Sequence, residues 1–371
     1  MAAYAEVFAL AALLTYVLTF PARRVAILLG AIVEPDERRA HLVRTPTLGG
    51  GAMYLAFLVA MAVASLMPAF HQVFHPSSAP LGVVLGATVI FAVGAVDDLR
   101  EVSAPAKLAG MVLAATVLYF LGVTLFYFRI PFAGFIILGP DLTPLLTALW
   151  VAVMANAINF IDGLDGLAAG IVAIAAGAFF VYAERLSHLG FLPADNVGPL
   201  VAAIACGICV GFLPHNFHPA RIFMGDAGAL LLGLLMAAST MVVGGQTANQ
   251  FKFTGETYFF FAPLFIPFVI LGVPILDSVF AVVRRAARRA SPAVADKEHL
   301  HHRLMRLGHG HRRSVVILWV WTAILSGLVL YPTFNLPGAG STNAVVPFGI
   351  LALGAVLYTL FHPGVRQKTP A

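Results

Sequence analysis

Long apolar runs separated by short polar gaps set the pattern of this chain from its first residues. Eleven runs stand out, near 4–30, 48–68, 80–96, 106–125, 143–160, 166–184, 198–213, 227–244, 257–283, 314–331 and 343–361. At about 1.5 Å of rise per residue, roughly 20 apolar residues cross the roughly 30 Å of bilayer hydrocarbon. Gly and Pro recur inside the runs, as membrane helices tolerate. The first run has no basic stretch before it and is long enough to span, so it reads as a span and not as a cleavable signal. The expected fold is an all-α polytopic membrane protein of about eleven transmembrane helices, a single integral membrane domain over 1–371.

Composition supports this and narrows the function. Of 371 residues, 60% are hydrophobic and 11% charged, with a mean hydropathy of +0.92. Soluble domains carry about 45–50% apolar and about 25% charged residues, so a water-soluble or disordered chain is excluded. The net charge of +5 does not point to nucleic acid, because the basic residues follow the spans. Cys206 and Cys209 lie in an apolar run without a second pair, and read as small residues on a packed helix.

Lysine and arginine bias fixes orientation. With the N-terminus outside, outer loops hold only Arg129, Arg185 and Lys252, while nineteen of the 22 basic residues fall on the inner side. Asp97, Asp98, Asp162, Asp165, Asp226 and Asp277 then all lie at or near inner helix ends. An ionised Asp within a span costs about 2.5–3.5 kcal/mol even on the lenient insertion scale, whereas at the inner rim it can face a shared polar cleft.

Four constellations carry candidate chemistry. Gly94-Ala-Val-Asp97-Asp98-Leu99 closes the third run and Lys107 opens the fourth. Carboxylates at a helix C-terminus oppose the macrodipole, so a metal, a lysine or water must offset them. Adjacent aspartates suit Mg²⁺, which takes hard oxygen ligands and keeps sites for a phosphate. Asn156 and Asn159 share a helix face and lead into Asp162-Gly-Leu-Asp165-Gly-Leu167, which reads as a polar ligand site or as turn and cap residues. Asn216 to Gly228 joins two runs. In it Asp226 stands at a helix start, Arg221 serves a phosphate or topology, and Phe223 offers a stacking surface or interfacial packing. The largest inner loop, 284–313, carries nine basic residues. Arg284, Arg285, Arg288 and Arg289 suit anionic membrane lipids. His299, His301, His302 and Arg303 follow, a zinc set, a solvated loop, or donors to a sugar and a diphosphate.

Taken together, Val96-Asp97-Asp98-Leu99 with Lys107, Asn156 to Leu167, Asn216 to Gly228, and His299-Leu-His-His-Arg303 resemble the polyprenyl-phosphate N-acetylhexosamine-1-phosphate transferases. That family (glycosyltransferase family 4) includes the phospho-N-acetylmuramoyl-pentapeptide transferases, and the likeness runs from about 38 to 313. The histidine motif, preceded by Asp296-Lys-Glu, is similar to the branch that uses UDP-N-acetylglucosamine and initiates teichoic acid, O-antigen or arabinogalactan linkage synthesis.

The resemblance implies an enzyme of the cell membrane with its active face in the cytoplasm. A polyprenyl phosphate, undecaprenyl or decaprenyl, would attack the β-phosphorus of UDP-N-acetylglucosamine directly, and UMP would leave. It places Asp226 on Mg²⁺, with Mn²⁺ as a substitute, and Asp97 and Asp98 beside the metal and the lipid phosphate. Asp97 would also ligate the ion or orient the phosphate. Lys107 would neutralise phosphate charge, and Asp162 would complete the catalytic group. Asp165, Asn216 and Phe223 match positions that hold the uridine. Asn156 and Asn159 line the same cleft, and His299, His301, His302 and Arg303 address the sugar and diphosphate. Three features depart from the family pattern: Ala229 after Gly228, Phe160, and the Pro214-His215 pair. A homodimer is expected at family level, with Gly207-x-x-x-Gly211 as a close-packing face. The rival readings are a pentapeptide-sugar transferase and, in a different class, a secondary transporter, which would place its ionisable groups at mid-membrane on broken helices.

Overall fold

The computed structural model describes residues 1–34, 44–125, 127–130, 134–244 and 309–334, together with Leu304 and isolated positions between 350 and 358. The described part is overwhelmingly helical. Its main helices are α1 (Ala2–Leu28), α2 (Gly49–Leu66), α3 (His71–Phe74), α4 (Ala79–Leu99), α5 (Ala104–Phe120), α6 (Leu142–Ile161), α7 (Leu167–His188), α8 (Gly198–Asn216), α9 (Gly225–Gly244) and α10 (His311–Phe334). Among the described residues seven of these are long and apolar enough to cross a membrane: α1, α2, α4, α6, α7, α8 and α9. The chain is a multi-pass membrane protein. The expected runs at 106–125 and 314–331 coincide with α5 and α10. Those at 257–283 and 343–361 lie wholly or mostly outside the described residues, as does Asp277.

Two small antiparallel ladders interrupt the helices. β1 (Ile32–Val33) pairs with β2 (Thr45–Pro46), and β3 (Tyr127–Ile130) pairs with β4 (Gly134–Ile137). The second stands where an outer loop was expected. Its aromatic and β-branched residues suit paired strands.

Helix α9 is the hub. Every residue from Ala227 to Gly244 is buried, and α4, α6, α8 and α2 pack around it. A helix apolar on all sides must be enclosed on all sides, and α9 satisfies this with small residues that let neighbours come close. At Gly94 of α4, a Cβ would meet Ala227 Cα at 2.5 Å, so the two backbones nearly touch. Gly211 of α8 lies against the backbone of Ala12, and Gly207 against that of Phe8. The Gly207–Gly211 face is therefore filled by α1 of the same chain and gives no support to a dimer.

The Pro214-His215 pair belongs to this same junction. His215 is buried, its Nε2 lies 3.0 Å from the Tyr16 carbonyl oxygen, and its ring packs between Tyr16 and Phe20. Cys206 donates to the Ala173 carbonyl at 3.3 Å and Cys209 is fully buried; both are free thiols with a packing role.

Candidate active site

The polar residues gather at one end of the bundle, where α4, α6 and α8 finish and α5, α7, α9 and α10 begin. Asp98, one residue from the end of α4, accepts two backbone hydrogen bonds from the first turn of α9. Its Oδ1 takes the N–H of Asp226 at 2.8 Å and its Oδ2 that of Ala227 at 3.1 Å. Helix starts leave such N–H groups without intrahelical partners, and their positive dipole end favours a carboxylate. A side chain badly placed on its own helix is thus well placed on the next. Gly225 makes the arrangement possible: its φ is +69°, and a Cβ there would strike both Asp98 oxygens and Thr47 Oγ1.

Asp97 points the other way. Its Oδ1 accepts the Val102 N–H at 2.8 Å, and its Oδ2 meets Lys107 Nζ at 2.5 Å. The same ammonium pairs with Asp226 Oδ2, to which Asn159 Nδ2 also donates at 3.4 Å. One cation therefore sits between two carboxylates carried by α4 and α9. These are hard oxygen donors on two facing helix ends, and they fit a divalent ion better than a soft or thiolate-seeking metal. Asp162, in the turn after α6, is half-buried. Burial first, and then the charges of Asp226, Asp98 and Asp165, push its carboxyl up to about 8.

The amides divide. Asn159 reaches the carboxylates, whereas Asn156 donates to the Ala152 carbonyl at 2.7 Å and to Met111 Sδ at 3.3 Å, bracing α6 against α5. Asn216 is buried. Its Oδ1 accepts the Gly166 N–H and its Nδ2 donates to the Ile222 carbonyl, both at 3.0 Å. It ties the start of α7 to the loop before α9. Phe223 is held by its backbone, donating to the Pro46 carbonyl at 2.9 Å and accepting from the Gly49 N–H at 2.9 Å. Its ring is half-buried.

Asp165, at the start of α7, meets two residues absent from the expected site. Its Oδ2 lies 2.7 Å from His218 Nδ1, and its backbone N–H donates to His311 Nε2 at 3.0 Å. The signal for them in the sequence is weak: His218 lies inside the Asn216–Gly228 loop, and His311 stands eight residues beyond the His299–Arg303 motif. His299, His301, His302 and Arg303 lie outside the described residues. His218, Gly310, His311, Arg312 and Arg313 line an open cavity of about 410 Å³.

The family model described as glycosyl transferase family 4 matches residues 80–244, which include every expected site residue that the structure describes. Relatives match over nearly the whole chain. The decaprenyl-phosphate N-acetylglucosaminephosphotransferase of Mycolicibacterium smegmatis is 37% identical over 357 residues, 94% of this chain and 86% of its own. The protein of that name from Mycobacterium tuberculosis is 38% identical over 369 residues, 97% and 90% of the two chains. A probable undecaprenyl-phosphate N-acetylglucosaminyl 1-phosphate transferase of Bacillus subtilis is 32% identical over 316 residues, 85% and 81%.

Proposed function

This chain belongs to glycosyl transferase family 4, and from that premise we propose that it transfers N-acetylglucosamine 1-phosphate from UDP-N-acetylglucosamine to a polyprenyl phosphate. The products are polyprenyl-diphosphate-N-acetylglucosamine and UMP, the opening membrane step of a cell-envelope glycopolymer. The observation that carries the reading is the Lys107 ammonium held between Asp97 and Asp226 at the polar end of the bundle. Phosphoryl transfer needs positioning and charge neutralisation more than covalent chemistry, and this cluster offers both.

In the reaction an oxygen of the polyprenyl phosphate forms a bond to the β-phosphorus, and the bond from that phosphorus to the bridging oxygen of UMP breaks. A phosphate monoester is largely ionised near neutrality, so the chain need not supply a strong base. Asp97 and Asp226 would hold Mg²⁺, or Mn²⁺ in its place, which when bound neutralises diphosphate charge and stabilises the departing UMP. Lys107 supplies a further positive charge for phosphate oxygens. Asp98 fixes the first turn of α9, and Asn159 steadies the Asp226 carboxylate. The site faces the cytoplasm, where sugar nucleotides are found, in an eleven-span chain whose N-terminus is outside.

Two rivals fit less well. Relatives named for N-acetylglucosamine transfer match at 37% and 38% identity, against 31% for a phospho-N-acetylmuramoyl-pentapeptide-transferase of Desulforudis audaxviator, and the ionisable groups stand at helix ends instead of mid-membrane as a transporter's would. The deciding assay supplies membranes with Mg²⁺, polyprenyl phosphate and radiolabelled UDP-N-acetylglucosamine. A lipid-linked product and UMP are expected, and Asp226→Asn lowers turnover by about a hundredfold or more with the protein still folded. Consumption of UDP-N-acetylmuramoyl-pentapeptide instead, or full activity in Asp226→Asn, overturns the reading.

A further inference from the structure

Leu13, Tyr16, Val17 and Phe20 recur at helical spacing along one face of α1 and are 40–61% exposed. In a multi-pass membrane protein such a stripe lies against acyl chains. Tyr16 and Phe20 pack edge to face at 5.4 Å, and one further turn along the same face stands the exposed Arg23. From Leu13 to Arg23 the helix rises about 15 Å, half of the roughly 30 Å of bilayer hydrocarbon. The stripe is one leaflet long and ends in a positive charge.

That charge is fixed in place by a second arginine. Arg23 Nε donates to the Arg221 carbonyl at 3.1 Å, across 198 positions of sequence. Arg221 donates its own N–H to the His215 carbonyl at 2.8 Å, and the His215 ring packs on Tyr16 and Phe20 with centroids 4.9 and 4.6 Å away. Both backbone polar groups of Arg221 are therefore held, while its side chain is exposed. Neither arginine forms an ion pair among the described residues. Two positive side chains leave the surface from adjoining points, an arrangement that like-charge repulsion opposes and a shared anion stabilises. The terminal nitrogens of Arg23 remain available in the fork that matches a phosphate. Keeping positive charge on one side of a membrane requires charge alone; it does not require one guanidinium to be pinned to the backbone of another arginine.

We propose that Arg23 and Arg221 form the headgroup site of an anionic phospholipid of the bilayer itself, with its phosphate at the two guanidiniums and its tails along the stripe on α1. Basic side chains at a membrane surface attract acidic headgroups, and aromatic side chains favour the interfacial level just beneath them. A zwitterionic lipid carries an ammonium beside its phosphate, which the two guanidiniums repel, so the site separates phosphatidylglycerol from phosphatidylcholine. Polyprenyl phosphate is a different anion with a different partner. The Lys107 ammonium proposed to meet phosphate oxygens is held between α4 and α9, and none of the contacts that build the Arg23–Arg221 pair involves it. The lipid site stands apart from the transferase reading and does not depend on it.

The full-length protein, delipidated in neutral detergent, is titrated with phosphatidylglycerol and separately with phosphatidylcholine, and bound lipid is counted by native mass spectrometry. The wild-type chain should prefer phosphatidylglycerol by about thirtyfold, the scale of two arginines at a membrane surface. Arg23→Gln and Arg221→Gln should each weaken phosphatidylglycerol about fivefold. The double variant should lose the preference, with phosphatidylcholine binding unchanged throughout. Arg221→Lys, which keeps the charge, should lose less than Arg221→Gln. Arg100→Gln removes an exposed charge at the same end but outside the site, and should leave the preference intact. Equal phosphatidylglycerol affinity in the wild type and the double variant overturns the inference. So does an equal loss in Arg100→Gln, which marks a general charge effect. Displacement of phosphatidylglycerol by equimolar polyprenyl phosphate assigns the arginines to the substrate and also overturns it. Where the double variant fails to fold, the single variants carry the test, and unaltered affinity in both rejects the proposal. A protein that binds phosphatidylglycerol through these arginines but makes no product from UDP-N-acetylglucosamine removes the transferase reading and leaves the lipid site standing.

Discussion

Asp162 sits in the turn between α6 and α7 with Asp98, Asp165 and Asp226 as negative neighbours, and its carboxyl is held up at about 8 by burial and by those charges. A raised acid pKa means that the proton stays on at neutral pH and that the ionised form is the disfavoured one. If Asp97 and Asp226 hold a divalent ion as proposed, its charge would oppose the local negative field and expel that proton. Apparent Mg²⁺ affinity should therefore rise with pH and level off above about 8. Calorimetric titration of Mg²⁺ at pH 7 in two buffers of different ionisation enthalpy should report release of about one proton per ion. Asp162→Asn should lower the proton count, and a count near zero in the unaltered protein refutes the coupling. The carboxylates themselves were legible in the sequence because charges in so apolar a chain are rare and costly. Their separate jobs were not. Whether Asp97 or Asp98 would meet Lys107 or cap α9 depends on a helix start more than a hundred residues away.

Among the helices, the approach of α4 to α9 sets the geometry of the site, since each contributes one carboxylate to Lys107. Gly94 lies one turn before Asp97 and Asp98, against the backbone of Ala227. A valine there has no flexible neighbour to displace, so α4 must move outward and draw Asp98 from its bonds to the start of α9. Gly94→Val should reduce activity by more than about tenfold and destabilise the protein by about 1–3 kcal/mol, read as turnover and as a lower detergent-melting midpoint. Gly51→Ala, where a Cβ meets open space, is the control and should leave both unchanged. The helices were readable because apolar length alone specifies a span. The β3–β4 hairpin was not, because its eight paired residues are too short to be distinguished from a loop by periodicity. His218 and His311 were missed for a different reason: neither sits in a local pattern with Asp165, which the loop between α8 and α9 meets through His218 and the packing of α10 against α7 meets through His311.

For the molecule as a whole, one polar end is the consequence of building apolar spans, seven of them among the described residues, that do not tolerate charge inside them. Asp97, Lys107, Asn159, Asp226 and His311 come from five different helices and Asp165 from the turn before α7, yet all fall at that end, which is also where the basic residues concentrate. The opposite end carries the β3–β4 hairpin, the His71–His75 turn and the segment around Asp195. If positive charge is retained on the cytoplasmic side, the polar end is the cytoplasmic one, and exposed positions at the two ends must differ in access from outside an intact cell. On a background with Cys206 and Cys209 replaced by alanine, single cysteines at four exposed positions test this. His75→Cys and Asp195→Cys should react with a membrane-impermeant maleimide in intact cells. Arg100→Cys and Arg221→Cys should react only after the membrane is permeabilised. Labelling of Arg221→Cys from outside would invert the orientation, leaving the Lys107 cluster on the side where sugar nucleotides are absent and the proposed transfer without a donor.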